Sequence, residues 1–126
     1  MTNPQAYRYT KDHEWVSLKG DIATIGITYH AQELLTDIVY VELPKIGQVV
    51  KQHAPAGVVE SVKSVSDVFC PVSGEVIEIN TILQQQPELL NLDPYQDGWI
   101  ARIKVSSHAE IDTLMSASEY EALIAA

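Results

Sequence analysis

In the stretch Glu60-Ser61-Val62-Lys63-Ser64-Val65 a single lysine interrupts a valine-rich run. A primary amine can serve as a catalytic nucleophile or base, accept a covalent group, or carry charge. Catalysis by a bare amine requires a lowered pKa, which comes from burial or from cationic neighbours. The nearby charges, Glu60 and Asp67, are acidic and work against that. Acylation by another enzyme requires only an amine held out on a rigid support. Val-rich segments on both sides offer the support, and small Ser61 and Ser64 leave the approach open. The residues alone also allow a plainer role, an outward lysine on an edge strand that discourages sheet-to-sheet pairing.

The remaining reactive side chains form no convincing constellation. His13, His30, His53 and His108 are scattered without the short spacing of a zinc site, and one cysteine, Cys70, cannot complete one. Cys70 also excludes an internal disulfide and suits a reducing compartment; by type it is a small buried hydrophobe or a reactive thiol. Gly20, Gly26, Gly47, Gly74 and Gly98 build no phosphate-binding pattern and read as turn or bulge glycines. No nucleophile elbow is present. Trp15, Trp99 and Tyr95 read as core or cleft-wall residues of a small β domain.

The elements that must position Lys63 are mostly strands. Short Val- and Ile-rich runs occur at Ile22 to Ile27, Ile38 to Leu43, Gln48 to Val50, Val58 to Val62, Val65 to Phe69, Glu75 to Ile79 and Ile100 to Val105. Turn chemistry at Lys19-Gly20-Asp21, Pro44-Lys45-Ile46-Gly47 and Cys70-Pro71-Val72-Ser73-Gly74 separates several of them. Many short strands with frequent turns predict a sandwich or barrel. Helix is peripheral. Thr28 caps a short helix through Leu35, Ser107 with Glu110 forms a capping box for a helix through Met115, and Glu119 to Ile124 is a last helical segment. Gly47-Gln48-Val49-Val50-Lys51 and Gly74-Glu75-Val76-Ile77-Glu78 echo one another on either side of Lys63, which suggests two similar strand units flanking a central hairpin.

Bulk properties narrow the function classes. The 126 residues suit one domain. With 17 Asp+Glu against 8 Lys+Arg, a formal charge of −9 argues against nucleic acid or an anionic membrane surface as partner. No apolar run approaches the ~20 residues that span a bilayer, and Met1 to Thr10 resembles neither a signal nor a transit segment. The expected location is the cytoplasm, or an organelle after processing.

Val59-Glu60-Ser61-Val62-Lys63-Ser64-Val65-Ser66-Asp67 followed by Pro71-Val72-Ser73-Gly74-Glu75-Val76 resembles the lipoyl attachment region of the glycine cleavage H-protein family. Lys63, Pro71, Gly74 and Val76 keep spacings shared with the wider lipoyl and biotinyl carrier domains, but Val62 and Ser64 stand where biotin carriers place methionines. The resemblance covers nearly the whole chain. Its blocks include His13-Glu14-Trp15-Val16, Ala31-Gln32-Glu33-Leu34-Leu35, Asp37-Ile38-Val39-Tyr40-Val41-Glu42-Leu43-Pro44, Pro87-Glu88-Leu89-Leu90-Asn91, Asp97-Gly98-Trp99 and Glu119-Tyr120-Glu121. Ser64 departs from a frequent alanine, and Tyr29 from a frequent acidic residue.

The resemblance implies an all-β, lipoyl-type barrel-sandwich with short peripheral helices, including a C-terminal one. It implies a single domain over 1–126, with the lipoyl hairpin at about 57–76 and a C-terminal helical segment at about 107–126. It further implies a non-catalytic, monomeric carrier bearing lipoate in amide linkage on Lys63, placed there by a lipoyl-attaching enzyme. Such a carrier takes an aminomethyl group from a glycine decarboxylase (P protein) to a tetrahydrofolate-dependent aminomethyltransferase (T protein). It then passes electrons to dihydrolipoyl dehydrogenase (L protein). A long arm raises the effective concentration of its reactive end at each partner. The loaded, cationic end calls for a sheltering groove with a carboxylate; the resemblance points to Glu14 and Asp67, whereas Asp12 reads as solvated. A lipoyl or octanoyl relay protein, and an interaction module without lipoate, are the alternatives.

Overall fold

The computed structural model describes residues 2–125. Nine strands form two sheets. The larger has the order β1 (Arg8–Tyr9), β2 (Glu14–Lys19), β3 (Ile22–Ile27), β9 (Ala101–Val105), β8 (Gly74–Ile79), β5 (Val49–Val50); the smaller has β4 (Ile38–Glu42), β6 (Pro55–Ser61), β7 (Val65–Phe69). All pairings are antiparallel. Helices are short and peripheral: α1 (Tyr29–Leu35), α2 (Leu89–Leu92), α3 (Ala117–Ala125), with 3-10 turns at Thr81–Gln84 and His108–Thr113. The architecture is the barrel-sandwich that the sequence implies.

The core between the sheets is built from the valines and isoleucines that made the strands legible. Val16, Ile25, Val41, Val59, Val76 and Ile103 are all essentially sealed from water. Burying each large aliphatic side chain contributes about 1.5–3 kcal/mol. A second, aromatic cluster of Tyr9, Trp15, Tyr95 and Tyr120 lies outside it. Side chains alternate along β2, so Val16 and Leu18 enter the main core while Trp15, Ser17 and Lys19 take the opposite face. With Glu14, Ser17 and the exposed Lys19 among its six residues, β2 lacks the valine run that marked other strands, and β1 is only two residues long, so neither was found by the run-based reading.

Two of the glycines read as turn or bulge positions lie inside strands instead, where backbone and rings pass closely. A Cβ at Gly26 would stand 2.7 Å from the Trp15 indole, and one at Gly74 would stand 2.1 Å from the Lys104 carbonyl oxygen. The two echo segments, β5 and the start of β8, immediately precede and follow the β6–β7 hairpin in the chain. They pair directly with one another, Val49 opposite Glu75 and Val50 opposite Gly74.

Thr28 caps α1 as expected, its hydroxyl accepting from the Ala31 N–H. The box expected at Ser107 and Glu110 does not form. Ser107 makes no side-chain cap, and the segment is a 3-10 turn that ends at Thr113. The Glu110 carboxylate is engaged elsewhere, accepting from the Ser73 N–H and hydroxyl at 2.7 Å each. The capping box forms nine residues later instead, between Ser116 and Glu119, with reciprocal bonds of 2.8 and 3.2 Å. Between the two helical pieces, Met115 runs extended and exchanges backbone hydrogen bonds with Tyr9.

Candidate functional site

Lys63 lies in the tight turn that joins β6 to β7. The two strands are in register from Val58 opposite Asp67 to Glu60 opposite Val65. Beyond that pair, the Ser61 N–H donates to the Ser64 carbonyl at 2.8 Å. The Ser61 hydroxyl accepts from the Ser64 N–H at 3.1 Å and the Lys63 N–H at 3.4 Å. Ser61, expected only to leave room, is therefore the residue that shapes the turn; hydroxyls that mimic a backbone acceptor are common in turns. A further bond from the Val62 N–H to the Asp37 carbonyl ties the tip to the entry of β4. The backbone under the lysine is thus held from both sides.

The side chain itself is exposed, as are Val62 and Val65 beside it, at 66% and 65%. Among the described residues Lys63 enters no ion pair. An exposed, unpaired primary amine on a fixed turn is chemically suited to acylation. It lacks the burial that catalysis by the free amine would need.

The two expected groove carboxylates stand in different surroundings. Asp67 is exposed on β7 and lines a hollow of about 220 Å³ with Glu42, Pro44, Lys45 and Gly57. Glu14 is 3% exposed. Its Oε1 accepts from the Thr10 hydroxyl at 2.5 Å, and its Oε2 from the Phe69 N–H at 3.2 Å. Glu14 therefore grips β7 two residues beyond Asp67, across the gap between the two sheets. Burial raises its pKa to about 7, overcoming the opposing pull of Thr10 and of the Phe69 amide. Asp12 is exposed.

Sequence reasoning missed the polar knot beside Glu14. The Tyr120 hydroxyl bonds to His13 Nδ1 and to the Thr28 hydroxyl, at 2.8 Å each, and the His13 ring lies 4.8 Å from that of His30. Burial, then the nearness of His30, lowers the His13 pKa, with Asp12 opposing. The members come from the turn before β2, the start of α1 and α3, so no local pattern in the chain announces them. Cys70 is fully buried with its thiol pushed up to about 12, chiefly by burial, which settles it as a packing residue. Among the described residues no three of His, Cys, Asp and Glu come together as a metal site would require.

The family model described as glycine cleavage H-protein matches residues 7–126. A glycine cleavage system H protein of Symbiobacterium thermophilum is 50% identical over 119 residues, 94% of this chain and 93% of the relative. One from Methylacidiphilum infernorum is 50% identical over 124 residues, 98% and 97% of the two chains. The crystal structure of a glycine cleavage system H protein from Mycobacterium marinum superposes with a TM-score of 0.90 at 36% identity, covering 98% of this chain and all of that one.

Proposed function

The chain belongs to the glycine cleavage H-protein family, and on that premise we propose that it is a lipoyl carrier whose attachment point is Lys63. The observation that carries the assignment is the exposed, unpaired amine on the rigid β6–β7 turn. A lipoyl group bound there would supply a dithiolane able to take up a one-carbon amine and two electrons. The chain's own part is to hold that arm out where partner sites can take it, which raises the local concentration of its reactive end. Acylation removes the lysine's charge, and no neighbouring acid has to give up a partner.

In this reading the partners are a glycine decarboxylase, an aminomethyltransferase and dihydrolipoyl dehydrogenase, with a lipoyl-attaching enzyme acting first, and the carrier works as a monomer without catalysing a step. Glu14 and Asp67 are proposed as the carboxylates that receive a cationic amine on the arm. Val65 to Phe69 spans about 13 Å of strand, so an arm rooted at Lys63 and laid back along β7 passes Asp67 before it reaches Glu14. Glu14 is close to half-ionised near neutral pH, and a cation beside it would favour its charged form.

Intact-mass measurement after expression in lipoate-competent cells tests the anchor. Wild type is expected to gain the lipoyl increment and Lys63→Arg to stay unmodified. An unmodified wild type, or modification of the Arg variant at another lysine, would overturn the assignment.

A further inference from the structure

We propose that the outer face of the larger sheet carries a second ligand site, for a small flat heteroaromatic anion of the nucleoside monophosphate type. The site is a cavity of about 430 Å³, within the range of small-molecule pockets (~300–1,000 Å³). None of its lining residues belongs to the β6–β7 hairpin, so it is separate from Lys63 and goes beyond the carrier role.

Its floor and walls are aromatic and fixed. Trp15 lies against Gly26 with its indole N–H donating to the Pro94 carbonyl at 3.0 Å, and Tyr7 stacks on it at 4.8 Å between ring centroids. The Tyr7 hydroxyl donates to the Tyr95 carbonyl. Tyr7 and Trp99 are only partly buried, which leaves ring surface open to a ligand. Rigid, partly exposed rings offer a flat π-system stacking surface at little entropic cost.

The charge at the site runs opposite to the rest of the molecule. In a chain of net charge −9, no Asp or Glu lines this cavity, but Lys19 and Arg102 do. Arg102 lies 4.0 Å over the Trp99 ring, donates through Nε to Thr24 and pairs through Nη1 with Glu78. Its Nη2 has no partner among the described residues, and Lys19 is exposed without an ion pair. An arginine held in place by stacking and pairing, with donors to spare, suits a phosphate or carboxylate. The overall negative charge repels a polyanion, so the occupant is a small anion and not a nucleic acid strand.

Both tryptophans of the chain line the cavity, so intrinsic fluorescence reports on it directly. Adenosine 5′-monophosphate, adenosine and inorganic phosphate are titrated separately at low salt, with isothermal calorimetry as a second readout. Saturable quenching by the monophosphate is expected, with adenosine and phosphate each weaker by about tenfold or more. Lys19→Ala, a change at an exposed residue, should weaken the monophosphate by about tenfold, while Lys63→Arg should leave it unchanged. The proposal is overturned by no saturable signal in either readout at millimolar monophosphate, by equal binding of either half-molecule, or by unaltered binding to Lys19→Ala.

Discussion

Glu14 is a carboxyl group with two good hydrogen-bond donors that still binds its proton more tightly than a free glutamate, because burial outweighs both donors. The consequence for stability has a definite sign. An acid whose folded pKa is raised stabilises the fold fully below the ordinary carboxylate range, and that contribution is lost as pH rises through about 7. The loss is on the order of 3 kcal/mol for a group sealed this well. Urea unfolding of wild type and Glu14→Gln at about pH 5 and about pH 8 checks it. The glutamine keeps an acceptor for Phe69 and never ionises, so wild type should lose roughly 2–3 kcal/mol relative to the variant on going to the higher pH. Parallel pH profiles would show that Glu14 is not the titrating group. The sequence shows Glu14 as one of 17 acids, whereas Lys63 is a lone cation in a valine run. The lysine was legible from local contrast; the burial of Glu14 arises only when β7 folds over it.

At the scale of elements, the strands of the main core were readable because one face of each is sealed and period-2 runs of Val and Ile result. Helix starts were harder. Ser107-x-x-Glu110 and Ser116-x-x-Glu119 are the same local pattern, yet only the second caps a helix. The difference is Ser73, distant in sequence, which takes the Glu110 carboxylate into a tertiary clamp. Ser116→Ala should therefore cost about 1 kcal/mol of stability and fray α3, while Ser107→Ala should stay within ~0.5 kcal/mol. Thermal unfolding of the two variants decides it, and equal losses would show that the cap contributes nothing particular to α3. The aromatic cluster depends on α3 through Tyr120, which stacks on Tyr9 at 4.9 Å. Fraying of the helix should accordingly appear in the near-ultraviolet circular dichroism before the main core opens.

At the scale of the whole molecule, a charge of −9 is opposed by only two ion pairs among the described residues, one of them to a histidine. Self-repulsion, not ion pairing, is the larger electrostatic effect on the fold, and salt screens it. Raising sodium chloride from about 10 mM to about 150 mM should increase the denaturant midpoint; a decrease would mean that the ion pairs dominate. The topology adds a consequence in time. The β6–β7 hairpin closes within Pro55–Phe69 and β3 pairs locally with β2, but β3 gains its second neighbour only when Ile25 meets Ala101. Such distant pairings place folding in the millisecond-to-second class, and a hairpin alone is marginally stable in water. During synthesis the lysine tip therefore emerges before β9 does, on a hairpin that stays marginal until β4 pairs with β6 and the core between the two sheets closes. A modifying enzyme that recognises the rigid turn, and not the bare peptide, would act on finished molecules alone.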